Sequence, residues 1–219
     1  MLLAPLDGGN TWESVMKPIT VTKTVYTLDE LSDSARRKAL EKMSSFMYEW
    51  IESDQTTEYL NGELVGILTG EWVGDISSKE LEKKTGLTLE WSLSHCQGDG
   101  VAIYGTVYAS DAPKLEWHGA DNARLTRNSW ATHYSHYNTF DVVVSGEDED
   151  GNYTTLSGDI AESITEQFRD ICRKLERWGY ENIDSLTNET AIIDHLEMND
   201  GRRFTEDGDF APTSFWSEQ

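Results

Sequence analysis

The stretch Leu87–Ala109, LTLEWSLSHCQGDGVAIYGTVYA, constrains this chain more than any other. Leu87, Leu89, Trp91 and Leu93 alternate with Thr88, Glu90, Ser92 and Ser94. Successive strand side chains point to opposite faces, so this spacing marks a strand with one face on a core and one in water. Val101, Ile103, Val107 and Ala109 alternate with Tyr104, Thr106 and Tyr108 in the same way. Two such runs around a glycine-rich segment predict an antiparallel hairpin. Opposed residues share a face, so apolar odd positions must meet apolar odd positions. A two-residue loop at Asp99-Gly100 mixes the faces. A three-residue loop, Gly98-Asp99-Gly100, keeps them and pairs Gln97 with Val101 and Leu93 with Gly105. Gly100 can supply the left-handed residue that such a loop needs, so the three-residue loop is expected.

Helical patterns flank the hairpin. Ser32 is placed to cap a helix with Asp33 in its first turn. Ala35, Ala39, Met43, Phe46, Met47 and Trp50 then form one stripe, in which the methionines read as core filling. Leu60, Leu64 and Ile67 or Leu68 suggest a second helix over Thr56–Gly70, although Gly62 and Gly66 each weaken it by roughly 1 kcal/mol against alanine. Ser78–Lys84 reads as a short helix that Gly86 terminates. The clearest pattern is Asp159–Trp178, where Ile160, Ile164, Phe168, Ile171, Leu175 and Trp178 recur at spacings of three and four. Gly179 reads as its stop, and Asp184 or Ser185 as the start of another helix.

The remaining segments are read more coarsely. Ile19–Thr27 and Ser129–Ser145 have strand composition, and Asn152–Leu156 forms a shorter run. Asp111–Asn128, with Pro113 and Gly119, reads as loop. Residues 1–18 read as irregular, and residues 202–219 as a C-terminal hairpin or tail with a Glu206-Asp207-Gly208 turn. The expected fold is one α+β domain over residues 1–219. In it an antiparallel meander of about four strands is covered on one face by the helices from Ser32 and Asp159.

Charge limits the partners. Forty acidic residues against eighteen basic give −22. Such a surface repels nucleic acid and anionic membranes and favours basic partners, although acidic surfaces also serve solubility. No run approaches the roughly 18 apolar residues of a membrane span. The N-terminus does not read as a secretory signal, and the two cysteines, Cys96 and Cys172, suit a reducing cytosol.

Catalytic motifs are weak. Cys96 beside His95 suggests a thiol nucleophile, but neighbours on a strand point opposite ways, so His95 should not activate it. His95, Cys96, His133 and His136 are metal-ligand types, and a zinc site would need three or four of them on one centre. Asp148, Asp150 and Asn152 lack the spacing of a calcium loop. Tyr104, Tyr108, Tyr134 and Tyr137 could stack on a sugar or base, or pack beneath a loop. No cofactor is expected. The acidic turn Glu147, Asp148, Glu149 and Asp150 stands out, as do Asp159, Glu162, Glu166 and Asp170 along the last long helix. These carboxylates could imitate the phosphates of DNA, or simply solvate a helix face.

Four phrases together resemble a family of uncharacterised phage and prophage proteins: VYTLDELSDSARRKAL, SLSHCQGDGVAIYG, ATHYSHYNTFDV and RRFTEDGDF. The resemblance implies phage origin and expression in a bacterial cytoplasm. It transfers no catalytic residue. The expected function is a non-enzymatic acidic protein that binds a basic surface on a host protein, with a nucleic-acid-binding defence or regulatory factor as the natural target. A small metal-dependent enzyme using His95, Cys96, His133 and His136 is one alternative. A virion or assembly component is another.

Overall fold

The structure is a computed structural model that describes residues 23–51, 55–130, 134–148, 150–198 and 202–212. The expected irregular segment 1–18 and the tail beyond residue 212 lie outside the described residues, as do His133 and Glu149. Five strands pair in sequence order, each antiparallel to the next: β1 (Leu87–Ser92), β2 (Gly100–Tyr108), β3 (Ala120–Arg127), β4 (Phe140–Glu147) and β5 (Tyr153–Leu156). This is the α+β meander that the alternating runs imply. Helices α1 (Asp33–Ile51), α2 (Gln55–Thr69) and α3 (Ser78–Thr85) precede the sheet. Helices α4 (Asp159–Thr187) and α5 (Glu189–Met198) follow it.

One sheet face is buried. Val101, Ile103, Val107, Ala123, Leu125 and Val144 pack with Leu60, Leu64 and Leu68 of α2 and with Ile164, Phe168, Ile171 and Leu175 of α4. The other face carries Thr106 opposite Arg124, and Arg124 opposite Val143, and leaves Tyr108 and Val143 exposed. Helix α1 does not cover the sheet as expected. Its stripe of Ala39, Met43 and Met47 forms a second core with Leu28, Ile192 of α5 and Phe204. Phe204 also bridges Tyr26 on one side and Phe210 on the other, so the C-terminal hairpin closes this second core.

Local signals placed the ends of α3 well. Ser77 and Glu80 cap each other's backbone N–H groups at the start of α3, and Gly86 ends it with φ 72°. Gly179, however, does not stop α4. The helix runs 29 residues to Thr187, through the Asp184 and Ser185 positions expected to start another. A Cβ at Gly179 would press on Leu93 and lie 3.4 Å from Leu60 Cδ1, so the glycine is there for close packing.

The hairpin register differs from the expected one. Leu87 faces Gly105, Leu89 faces Ile103, and Ser92 faces Gly100. Each β1 residue therefore meets a partner six positions nearer the turn. An even shift leaves every side chain on its face, which is why the alternation could not detect it. The loop is the seven residues Leu93–Asp99 rather than three. Asp111–Asn128 is likewise not all loop, because it contains β3. Alanines at Ala120 and Ala123 and a register shift between Ala120 and Asn122 hide its period. Conversely, among its described residues Ser129–Ser145 supplies a strand only from Phe140. No helix among the described residues is long and apolar enough to cross a membrane.

Candidate functional site

The loop Leu93–Asp99 is organised by one carboxylate. Asp99 Oδ2 accepts the N–H of Ser94 at 2.6 Å and of Cys96 at 2.7 Å, while Oδ1 accepts the Ser92 hydroxyl at 3.0 Å. Tyr180, 81 residues further on in α4, donates its hydroxyl to Oδ2 at 3.2 Å. These bonds satisfy the backbone of a longer loop and so stabilise it over the tighter turn. His95 takes φ 58°, and its ring stacks on Tyr180 with centroids 4.6 Å apart. Burial raises the affinity of Asp99 for a proton, but the Cys96, Ser92 and Ser94 donors outweigh it and hold the carboxyl below its usual range. Glu176, one turn before Tyr180, is pushed the other way by burial and then by the charge of Asp99. Burial and the same carboxylate push Tyr180 up to about 12.

A second loop, residues 134–139, lies on this one. It fits because the hairpin tip has no side chain at two points. A Cβ on Gly98, at φ 95°, would strike the Tyr134 ring, and one on Gly100 would meet His136 Cδ2 at 3.0 Å. Thr139 locks the loop by donating to His136 O at 2.6 Å and accepting from His136 N at 3.2 Å. The His136 ring rests on Tyr137 at 3.9 Å, and the Arg173 guanidinium lies over Tyr137 at 4.4 Å. Burial, and then the charge of Arg173, lower the pKa of His136 and so favour its neutral form.

Among the described residues the metal-ligand types do not converge. His95 lies on Tyr180 and His136 on Tyr137, and Cys96 Sγ donates to Ser94 O at 3.7 Å. Among the described residues no three His, Cys, Asp or Glu side chains could hold a metal ion. His133 lies outside those residues. Cys96 is exposed and Cys172 is buried, both as free thiols, and burial drives the Cys172 pKa upward.

The acidic candidates divide into two groups. Asp148 is committed to its turn, accepting the N–H of Asp150 at 3.0 Å and of Asn152 at 2.8 Å. That geometry spends on the chain the oxygen a calcium loop would offer. Glu166 accepts from Arg173 at 2.8 Å, and Asp170 from the same arginine at 2.5 Å. Glu147, Asp150, Asp159 and Glu162 are exposed, and among the described residues none has an ion pair. Glu149 lies outside them.

The tyrosines divide too. Tyr104 is half-buried, bonded to Thr139 Oγ1 at 3.4 Å and covered by Arg127 at 4.6 Å. Tyr108 and Tyr134 remain exposed. Sequence reasoning missed Trp130, Glu176 and Tyr180. Arg173, Glu176, Arg177 and Tyr180 share one face of α4 at spacings of three, one and three, but that face exists only if the helix continues through Gly179. Compared with known proteins, the chain matches no family model, no curated protein and no solved structure.

Proposed function

We propose that this chain is an acidic, non-enzymatic protein of phage type that acts in the cytoplasm of a bacterial host by binding a basic surface on a host protein. The net charge of −22 carries the reading. Internal pairing cannot remove that charge, so a strong negative field surrounds the molecule and steers basic partners toward it. Glu147, Asp150, Asp159 and Glu162 form the contact surface, because no internal cation claims them among the described residues. The turn before β5 and the start of α4 are separated by the four residues of β5, which span roughly 13 Å. Along α4, Asp159 and Glu162 lie about 4.5 Å apart on the axis at the helical rise. A basic nucleic-acid-binding factor matches such a row of anions. The phage resemblance of the hairpin phrase supports a defence or regulatory protein as the target.

The test presents immobilised chain to host lysate beside a Glu147→Gln, Asp150→Asn, Asp159→Asn, Glu162→Gln variant. The expected result is a basic protein that wild type retains at low salt and releases at about 0.5 M, where the Debye length of about 4 Å removes all but contact-range attraction. The variant should not retain it, and wild type should displace it from DNA. Retention that ignores both salt and the four substitutions refutes the proposal.

A further inference from the structure

The surface beside the hairpin tip holds a groove. It is open, encloses about 540 Å³, and has Trp130 and Tyr134 as its walls. Both rings are well exposed, Trp130 at 66% and Tyr134 at 48%. Tyr134 is seated by Gly98, whose missing Cβ leaves the ring against bare backbone. Gln97 and Asn138 complete the rim with His136 and Thr139. The Gln97 and Asn138 amides have no hydrogen-bond partner among the described residues, so each offers a donor pair and an acceptor.

Among the described residues no carboxylate, lysine or arginine lines the groove, although the chain as a whole carries −22. A formally uncharged patch on a strongly acidic protein selects an uncharged ligand. Nucleic acid is disfavoured because its phosphates meet the surrounding negative field. What remains must offer a flat apolar face to two aromatic rings and hydroxyls to two free amides. We propose that this groove binds a neutral saccharide, with a pyranose ring stacked on Trp130 and Tyr134 and its hydroxyls held by Gln97 and Asn138. A proline-rich peptide also packs on aromatic walls, and its carbonyls accept from the amide NH2 groups, but proline has no N–H to donate to the Gln97 and Asn138 amide oxygens, whereas a hydroxyl both donates and accepts.

The site is independent of the four carboxylates assigned to the protein partner. Calorimetric titration of the full chain with maltohexaose, cellohexaose and chitohexaose tests it, with decaproline as a fourth probe. At least one saccharide should saturate in the range of about 1 mM or tighter, without dependence on salt. Trp130→Ala and Tyr134→Ala should each weaken it about tenfold or more, a loss of one stacked ring. Trp130→Phe should keep most of the affinity, which separates loss of the ring from loss of the fold. Tyr108→Ala, an exposed ring elsewhere on the sheet, and the four-carboxylate variant should bind as wild type does. The proposal is overturned if no saccharide saturates wild type up to about 10 mM, if decaproline alone binds, or if binding is indifferent to both aromatic variants.

Discussion

Two glycines in one helix should respond to the same substitution with opposite signs. Gly62 and Gly66 both lie inside α2, where alanine is favoured by about 1 kcal/mol. By propensity alone, Gly62→Ala and Gly66→Ala would stabilise equally. Their surroundings differ. The nearest atom to a Cβ at Gly66 is Trp72 Cα at 3.8 Å, an ordinary contact. A Cβ at Gly62 would overlap the Gly74 carbonyl oxygen and sit 3.0 Å from its carbon. That carbonyl cannot swing aside as a side chain would. The segment after it is tied to α2 by Ile76 N–H bonding Glu58 O at 3.1 Å and by the buried Asn61 amide donating to Ile76 O at 3.1 Å. Overpacking costs up to about 3 kcal/mol when backbone must move. Subtracting the propensity gain leaves Gly62→Ala destabilised by about 2 kcal/mol, while Gly66→Ala gains up to about 1 kcal/mol. For a chain of this size the melting temperature should fall about 4–8 °C for Gly62→Ala and rise about 2–4 °C for Gly66→Ala. Urea unfolding followed by circular dichroism, with the slope checked for constancy, gives the same comparison. Gly62→Ala at or above wild-type stability would refute the close approach of the 70–76 segment to α2.

Other consequences are open to equally direct measurement. Asp99 is held below its usual range, so the stability it contributes is fully present above its unfolded value near 4 and is lost as pH falls through the folded value. Asp99→Asn should therefore cost about 1–2 kcal/mol at neutral pH, discounted for solvent at the loop, and the gap to wild type should close below about pH 4 in urea midpoints. In native protein a thiol reagent should modify Cys96 alone, and Cys172 should react only in denaturant; two fast equivalents in native buffer would contradict its burial. Phe204→Ala should cost about 3–5 kcal/mol and speed hydrogen exchange at Tyr26, whose N–H bonds Phe204 O at 2.8 Å. Unchanged exchange there would show that the second core does not depend on the C-terminal hairpin.

Much of the architecture was legible in the chain itself. Alternation in Leu87–Ala109 assigned each residue to a sheet face, and the α4 stripe named the helix side that meets it. Ser77, Glu80 and Gly86 marked the ends of α3 without reference to anything distant. These signals are local, because side-chain period and capping depend on a few neighbouring residues. The excess of carboxylates was also plain, since composition is independent of the fold.

Tertiary structure decided the rest. Register was invisible to alternation, because a six-residue slip preserves every face; Tyr180 and the backbone of the loop selected it through Asp99. Gly179 reads as a stop until Leu93 is found packed against it. Arg173 pairs with Glu166 and Asp170 only because a helix places them together. The Trp130–Tyr134 groove exists because Gly98 leaves room for a ring thirty-six positions away. Each of these depends on which distant groups satisfy one another's hydrogen bonds and volume, and no short window of sequence contains both partners.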